Sequence, residues 1–244
     1  MADNGGKTDG WRGSDPFFSR LHVLYEDNHL LVVAKPAMLP TMGVGPGKPS
    51  LLDAAKEYIR QKYAKPGNVY LGVVSRLDAP VTGVVLFART SKGAGRLAEQ
   101  FRERKVEKIY WAAVEGGVDP PADELVHFVR KDERHRRVHV THAGADGAQE
   151  ARLQYHLLAH RGDDSLIEVA LETGRKHQIR VQLAKVGHPV LGDQKYGAVR
   201  PFPRGIALHA RRLVVIHPVR REPLELVAPL PNAWRKAGLD WCGD

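Results

Sequence analysis

At 244 residues, of which 43% are hydrophobic, the chain is long enough for one large globular domain or two small ones. No apolar run approaches the roughly 20 residues that a membrane helix needs, and the single cysteine, Cys242, excludes an intrachain disulfide and a cysteine-based zinc site. The formal net charge of +9 favours a polyanionic partner, most simply nucleic acid.

Residues 1–20 predict a disordered tail, because they are rich in Gly, Asp, Ser, Lys and Arg. They lack the apolar core of a secretory signal, which favours a cytoplasmic protein. Residues 21–26 and 29–35 are expected to form two strands joined by an Asp-Asn turn. The glycine-rich segment 38–49 invites comparison with a phosphate-binding P-loop, but its spacing and its Lys-Pro pair do not match. It is expected to be a flexible surface loop.

Apolar, β-branched runs at 73–74 and 84–87 predict two buried strands. Between them, Pro80 fixes φ and Gly83 permits a positive φ, so the chain is expected to turn there. The turn places Asp78 at the rim of a sheet, between two stiff elements.

The carboxylate of Asp78 has two interpretations. In the first it caps the turn and pairs with Arg76, two residues earlier, since Asp is a common turn residue. In the second it is a chemical group that the two strands hold in place. Residues elsewhere in the chain have to decide between the two.

Two helices are predicted on either side of this unit. Ser50 can cap a helix that runs to about residue 64, and Ser91 starts a second helix that runs to about residue 104. The residues expected to face inward are Leu52, Ala55, Ile59 and Tyr63 in the first and Ala94, Leu97, Ala98 and Phe101 in the second.

Residues 108–114 are expected to form a further strand. The basic segment 130–137 is either a solvated hairpin or an arm that contacts RNA. His135, His139 and His142 lie nearby, but without carboxylates at a known ligand spacing they are a weak metal signal, and no metal is expected.

Residues 152–160 and 165–172 alternate like paired strands, and Thr173 is expected to cap a helix that ends near Val186. Ile179, Leu183 and Val186 would face the core. Cationic side chains in the first turns would oppose the helix dipole and cost stability. A locally unfavourable choice of this kind often marks a functional site. The residues that crowd these turns are Arg175, Gln178 and Arg180.

A last strand is predicted at residues 206–217. Because most strands are joined by turns and only some by helices, the pattern indicates an α+β fold. We expect a mixed, largely antiparallel β-sheet with flanking helices.

Several separated segments now resemble one family in their order and spacing. They are Tyr25-Glu26-Asp27, Val33-Ala34-Lys35-Pro36, Arg76-Leu77-Asp78 with Thr82-Gly83, Lys108-x-Tyr110, Gly174-Arg175-x-His177-Gln178-Ile179-Arg180, Gly187-His188-Pro189, Gly192-Asp193, Tyr196-Gly197 and Leu208-His209-Ala210. Together they resemble the RNA pseudouridine synthases of the RluA-like branch. The resemblance spans about residues 21–231, which would be the catalytic domain, with 232–244 as a C-terminal tail.

The resemblance implies a pseudouridine-synthase fold with a central RNA-binding cleft and an enzyme that isomerises uridine to pseudouridine without a cofactor. It implies that Asp78 is the catalytic aspartate and that Tyr110 stacks on the target base and assists proton transfer. Arg180 would pair with the aspartate, and Arg76 would help to hold the place of the flipped nucleotide. Further residues implied to contact substrate are Leu77, Lys35, Arg175 and Gln178.

The chain departs from the family pattern beside the implied site. Ser75 replaces the usual His, Val81 and Thr82 replace Thr-Ser, and Lys176 replaces the usual Thr. Two alternatives stay open: a catalytically inactive RNA-binding protein of the same fold, and a metal-dependent nuclease. The RNA could be ribosomal or transfer RNA. A monomer is expected, because the sequence has no spare apolar stripe.

Overall fold

The computed structural model describes residues 21–43, 45 and 48–239. Within these ranges the strands are β1 (His22–Glu26), β2 (Leu30–Lys35), β3 (Gly72–Val73), β4 (Thr82–Ala88), β5 (Glu107–Glu115), β6 (Ala122–Asp132), β7 (Arg137–Thr141), β8 (Gln149–Arg161), β9 (Asp164–Leu171), β10 (Leu208–Ile216) and β11 (Pro223–Val227). The helices are α1 (Leu51–Lys62), α2 (Ser91–Arg102), α3 (Gln178–Lys185) and α4 (Asn232–Lys236). The tail predicted at residues 1–20 lies outside the described residues.

One sheet contains all of these strands. Its order is β1-β2-β4-β10-β5-β9-β8-β6-β7, with β3 paired to β4 and β11 paired to β10. The β4–β10 pairing is parallel, and the other pairings between these strands are antiparallel. The predicted α+β class, with a mixed, largely antiparallel sheet, is confirmed.

Two helices cover opposite faces of the sheet at β2 and β4. Val32 packs in one core cluster with Leu97 of α2, whereas its neighbour Val33 packs in another with Leu51 and Ile59 of α1. Successive side chains of a strand point to opposite faces, so both faces of β2 and β4 are buried. This explains why the apolar run in β4 is unbroken rather than alternating.

The starts of the first two helices follow the expected capping chemistry. The hydroxyl of Ser50 accepts a hydrogen bond from the backbone N–H of Asp53, as predicted. In α2 the cap is Thr90, one residue before the predicted start, and its hydroxyl accepts from the N–H of Gly93. Tyr63 and Ala98, expected to face inward, are exposed because each lies at the edge of its helix's apolar stripe.

Helix α3 is shorter than predicted and begins at Gln178 rather than near Thr173. The side chain of Thr173 does not cap a helix but donates to Oε1 of Gln178 at 2.7 Å, which holds residues 173–177 as a loop. Arg175 therefore lies in this loop. The prediction that Arg175 stands in the first turn of the helix is wrong. Val186, expected in the core, is exposed because the helix has already ended.

The C-terminal segment packs more closely than the predicted tail at 232–244. Its described part contains α4, and Trp234 is fully buried in the same core cluster as Leu166 of β9 and Leu183 of α3. A five-residue helix with one large apolar side chain is too short to show a helical period in sequence. Within the described ranges, no helix has both the length and the apolar character to cross a membrane.

Candidate active site

The loop between β3 and β4 holds Asp78 at the floor of an open cleft. The carbonyl of Asp78 accepts from the N–H of Val81 at 3.1 Å, which closes the predicted turn. Both backbone groups of Leu77 bond to the hydroxyl of Thr41, at 3.1 and 2.9 Å, and the Leu77 side chain packs on two core clusters. The loop is thus fixed on both sides of the carboxylate, and Leu77 anchors it.

Arg180 of α3 joins Asp78 to a second carboxylate. Its Nη1 lies 2.9 Å from Asp78 Oδ2, while its Nε and Nη2 lie 2.6 and 2.8 Å from the two oxygens of Asp193. The Arg180 and Asp193 side chains are 5% and 2% exposed, and that of Asp78 is 28% exposed. Asp78 is therefore the accessible end of a buried, charge-assisted chain.

The charges in this chain keep the arginine ionised. Burial by itself would lower the pKa of Arg180, but the hydrogen bonds and charges of Asp193 and Asp78 outweigh it and raise the pKa above its ordinary value. The alternative partner, Arg76, is exposed; among the described residues Asp78 pairs with Arg180, and His177 Nε2 lies 3.7 Å from its Oδ2. Asp78 is therefore not simply the ion-pair partner of Arg76.

Tyr110 lines the same cleft from β5, where it pairs with Ala210 of β10 and Val169 of β9. Burial raises the pKa of its phenol, and the negative charge of Asp78 raises that pKa further. The phenol is therefore neutral near pH 7 and keeps its proton for donation. Tyr110 and Asp78 thus line the same cleft.

Lys35 lies beneath the Asp78 loop rather than on the cleft surface. It is 2% exposed, and its ammonium donates to the carbonyls of Pro36, Leu39 and Ala79. Burial lowers its pKa to about 7, while the charge of Asp78 opposes this shift. Three carbonyls already take the three donors of Lys35, so a contact between Lys35 and RNA stays a prediction and would require one of these bonds to break.

Gln178 is likewise buried, at 3% exposure. Its Oε1 accepts from the hydroxyl of Thr173 and the N–H of Arg175, and its Nε2 donates to the carbonyl of Arg152. These bonds fasten the loop before α3 to β8. Gln178 also lines the cleft, so its contact with substrate stays a prediction.

The other two predicted binding residues face the cleft. Arg76 is exposed at its edge. Arg175 is partly buried, and its Nε donates to the carbonyl of Glu150 at 2.9 Å, which leaves its terminal nitrogens toward the cleft lining. Both positions suit contacts with phosphate or base.

A family model described as RNA pseudouridylate synthase matches residues 29–185, which include the Asp78 loop, Tyr110 and Arg180. An uncharacterized RNA pseudouridine synthase of Synechocystis is 34% identical over 221 residues, covering 88% of this chain and 67% of that protein. The chain belongs to the RNA pseudouridylate synthase family.

Other members of this family are similarly close. Proteins named ribosomal large subunit pseudouridine synthase D are 34% identical in Xylella fastidiosa and 36% in Xanthomonas campestris, each over 87% of this chain and 66% of that protein. The chain thus spans about two thirds of the length of these relatives. The structure of human RNA pseudouridylate synthase domain containing 4 covers 88% of this chain and 92% of its own, with a TM-score of 0.73 and 26% identity.

Two residues of the pseudouridylate synthase site carried no predicted role. His177 approaches Asp78, with 3.7 Å between Nε2 and Oδ2, and Asp193 holds the far side of Arg180. Both stood in the segments that carry the family resemblance. Neither could be assigned from sequence, since the loops that bring them to Asp78 lie about a hundred residues away along the chain.

The cleft has a volume of about 990 Å³ and a predominantly cationic lining. Its charged lining residues are Arg76, Asp78, Arg102, Arg104, Lys108, Lys131, Glu172, Arg175, Lys176 and Arg180. Lys108 is half-buried, and burial, together with the nearby charge of Arg104, lowers its pKa to about 8. This synthase cleft presents eight cationic residues around two carboxylates, which favours a polyanion.

The histidine cluster predicted as a weak metal signal falls on the β6–β7 hairpin. His135 Nδ1 lies 2.7 Å from Asp132 Oδ2, and His139 Nε2 lies 3.5 Å from the same oxygen. These are exposed ion-pair contacts, and in the part of the chain that the structure describes no group of three or more His, Cys, Asp or Glu residues could hold a metal ion.

Proposed function

We propose that this family member isomerises uridine to pseudouridine in structured RNA, with Asp78 as the catalytic carboxylate. The observation that carries the proposal is the placement of Asp78: an accessible carboxylate, bound to a buried arginine, at the floor of a cationic cleft. The family match covers this segment. Tyr110 and Arg180 are proposed to complete the catalytic group.

The chemistry needs one carboxylate rather than the pair that glycoside hydrolases use. The N1–C1′ bond of uridine breaks, the base turns, and a C5–C1′ bond forms, after which the C5 proton leaves and N1 holds a proton. Both fragments stay in the site, so no water has to be activated. An ionised Asp78 could attack the sugar, attack the base or remove a sugar proton, and Arg180 supports the ionised form in each case.

The target base has to leave its stack to reach Asp78, at a cost of a few kcal/mol. Stacking on Tyr110 would offset about 1–3 kcal/mol of this cost. Arg76, exposed at the cleft edge, would occupy or brace the place that the base vacates. The cationic lining would hold the phosphates on either side.

Ribosomal RNA is the proposed substrate, with transfer RNA as the second candidate. Two relatives at 34% and 36% identity are named for the large ribosomal subunit, and the cleft lining shows only charge complementarity to RNA in general. We propose a cytoplasmic location, where such RNA is found, and a monomeric state. A sedimentation mass of two chains would overturn the latter.

Release of tritium from RNA labelled at uridine C5 tests the function directly. We expect release by the wild type in excess EDTA and a loss of at least about 1,000-fold in Asp78→Asn, since the amide has no carboxylate chemistry. Ribosomal and transfer RNA are supplied separately to identify the substrate class.

The rival functions give different results in the same assay. An inactive RNA-binding protein would bind both RNAs without releasing tritium, and the departures at Ser75 and Val81 are the observations that favour it. A metal-dependent nuclease would shorten the RNA, and EDTA would abolish that cleavage. Either result would reject isomerisation.

A further inference from the structure

The two side chains that approach the carboxylate of Asp78 both reach the same oxygen. Arg180 Nη1 lies 2.9 Å from Oδ2, and His177 Nε2 lies 3.7 Å from Oδ2. Among the described residues, Oδ1 has no hydrogen-bond donor within reach. Oδ2 is thus the held oxygen, and Oδ1 is left for the substrate.

His177 is itself held on its other ring nitrogen. Its Nδ1 lies 2.7 Å from the hydroxyl of Tyr196, and that oxygen accepts a hydrogen bond from the N–H of Val138 at 3.0 Å. The phenol has a single proton, and donating it to Nδ1 would use its donor while its oxygen accepts from Val138. This arrangement favours the neutral tautomer with the proton on Nε2, the nitrogen that faces Asp78.

The electrostatic surroundings also favour a neutral imidazole. Burial lowers the pKa of His177 to about 4, the charge of Asp78 opposes this, and the cations Arg180, Lys176 and Lys195 add to the lowering. A neutral ring with a proton on Nε2 can orient a carboxylate without neutralising it.

The backbone supports the same interpretation. His177 adopts φ of 54° directly before α3, a left-handed conformation that residues other than glycine adopt at a cost in energy. Tyr196 packs edge-on against the ring, at 5.7 Å between ring centroids. A strained residue that is braced on one side and points at the proposed catalytic group on the other is an arrangement found at functional sites.

We propose that His177 is a positioning residue: its Nε2–H, fixed by Tyr196, acts with Arg180 to hold Oδ2 of Asp78 so that Oδ1 meets the substrate. The distance of 3.7 Å closes to a hydrogen bond when substrate fills the cleft, as happens at many sites that are loose without ligand. This inference rests on the proposed function and deepens it.

Two substitutions at His177 separate positioning from folding. His177→Asn tolerates the left-handed backbone, as Asn does more readily than most residues, but its amide is too short to replace Nε2. His177→Gln places an amide N–H near the position of Nε2. We expect kcat for tritium release to fall about 10–100-fold in His177→Asn with KM for RNA unchanged within about threefold, and less than about tenfold in His177→Gln.

Tyr196→Phe tests the brace, because it keeps the ring and removes the hydroxyl. We expect about a tenfold loss of kcat, and the double variant with His177→Asn should be no slower than His177→Asn alone, since both changes break one chain of contacts. Tyr63→Phe, which removes a hydroxyl bonded to Glu26 away from the cleft, is the matched control and should keep wild-type kcat. Thermal unfolding verifies that each variant is folded.

Wild-type kcat in His177→Asn, a rise in KM alone, or equal losses in the Asn and Gln variants would overturn the proposal. Nitrogen-15 NMR of the histidine ring gives a second readout that needs no activity. Neutral His177 with the proton on Nε2 supports the proposal, and a proton on Nδ1 or a charged ring at pH 7 overturns it. Absence of tritium release by the wild type would instead reject the proposed function.

Discussion

Arg180 lies between two carboxylates that differ in exposure. Asp193 is buried and binds two guanidinium nitrogens, whereas Asp78 is partly exposed and binds one. A buried arginine needs a counter-charge whether or not substrate is present. Asp193 supplies it permanently, which frees the Asp78 carboxylate to change its contacts during a reaction.

Asp193→Asn should therefore reduce both stability and activity. The change leaves a buried guanidinium with half of its counter-charge, and we expect a loss of about 3 kcal/mol in the free energy of unfolding. Arg180 would then pair more strongly with Asp78, and we expect this stronger ion pair to lower kcat. Urea unfolding and tritium release measure the two effects.

Asp163→Asn is the matched control for this substitution. Asp163 pairs with Arg200 at 2.9 Å on the surface, with 86% of its side chain exposed. An exposed pair contributes at most about 1 kcal/mol, so this variant should unfold like the wild type and keep its kcat. Equal losses in the two variants would contradict the role assigned to Asp193.

At the scale of elements, the parallel contact between β4 and β10 decides where the Asp78 loop ends. His209 and Ala210 of β10 pair with Thr82 and Gly83 of β4, directly after the loop. Gly83 has φ of 118°, and a Cβ built on it would lie 2.2 Å from the carbonyl oxygen of Ala210. The sequence showed that Gly83 permits a positive φ, and the structure gives the reason that glycine is needed, a close approach of two backbones.

Gly83→Ala should be strongly destabilising, because both the backbone conformation and the space exclude a side chain. We expect a loss of about 3 kcal/mol or more in the free energy of unfolding, or failure to fold. Gly95→Ala in α2 is the control: nothing lies within 4 Å of its added Cβ, so helix propensity should stabilise it by about 0.5–1 kcal/mol. Urea unfolding of both variants gives the comparison, and a Gly83→Ala protein as stable as the wild type would refute the close approach.

At the scale of the whole molecule, part of the excess positive charge lies along the cleft. The cleft lining carries cations from the Asp78 loop, the end of α2, β5, β6 and the loop before α3. The basic segment at 130–137, expected to be either a solvated hairpin or an RNA-contacting arm, lies on the β6–β7 hairpin, and its Lys131 lines the cleft. A polyanion that follows the cleft would therefore pass Asp78 and the hairpin together.

Lys131→Gln should weaken RNA binding without altering the chemistry, since Lys131 lines the cleft at a position exposed to solvent. The plot of log K against log salt has a negative slope, and each lost phosphate contact makes it shallower by about 0.7–0.9. Binding titrations at several salt concentrations measure that slope.

Lys65→Gln removes the same charge from an exposed position that does not line the cleft, and its slope should match the wild type. Equal slopes in the Lys131 and Lys65 variants would show that net charge, and not the cleft, attracts RNA.

The sequence by itself determined the family, the α+β class and the segment that carries Asp78. These rest on local signals: apolar runs, turn residues and short motifs that hold their order along the chain. It also led to the Asp78–Arg180 pair, through the resemblance. Catalytic and binding roles stay predictions for Asp78, Tyr110, Arg180, Arg76, Leu77, Lys35, Arg175 and Gln178.

Only the tertiary structure decided which polar side chains are buried and which partners they have. Lys35 and Gln178 are predicted to bind substrate, and packing buries both: three carbonyls take the donors of Lys35, and Gln178 donates to the carbonyl of Arg152. His177 and Asp193 gained a place in the site because loops about a hundred residues distant from Asp78 fold back onto it. Residue type and spacing set what a side chain can do, whereas burial and partners, which depend on long-range contacts, set what remains free to react.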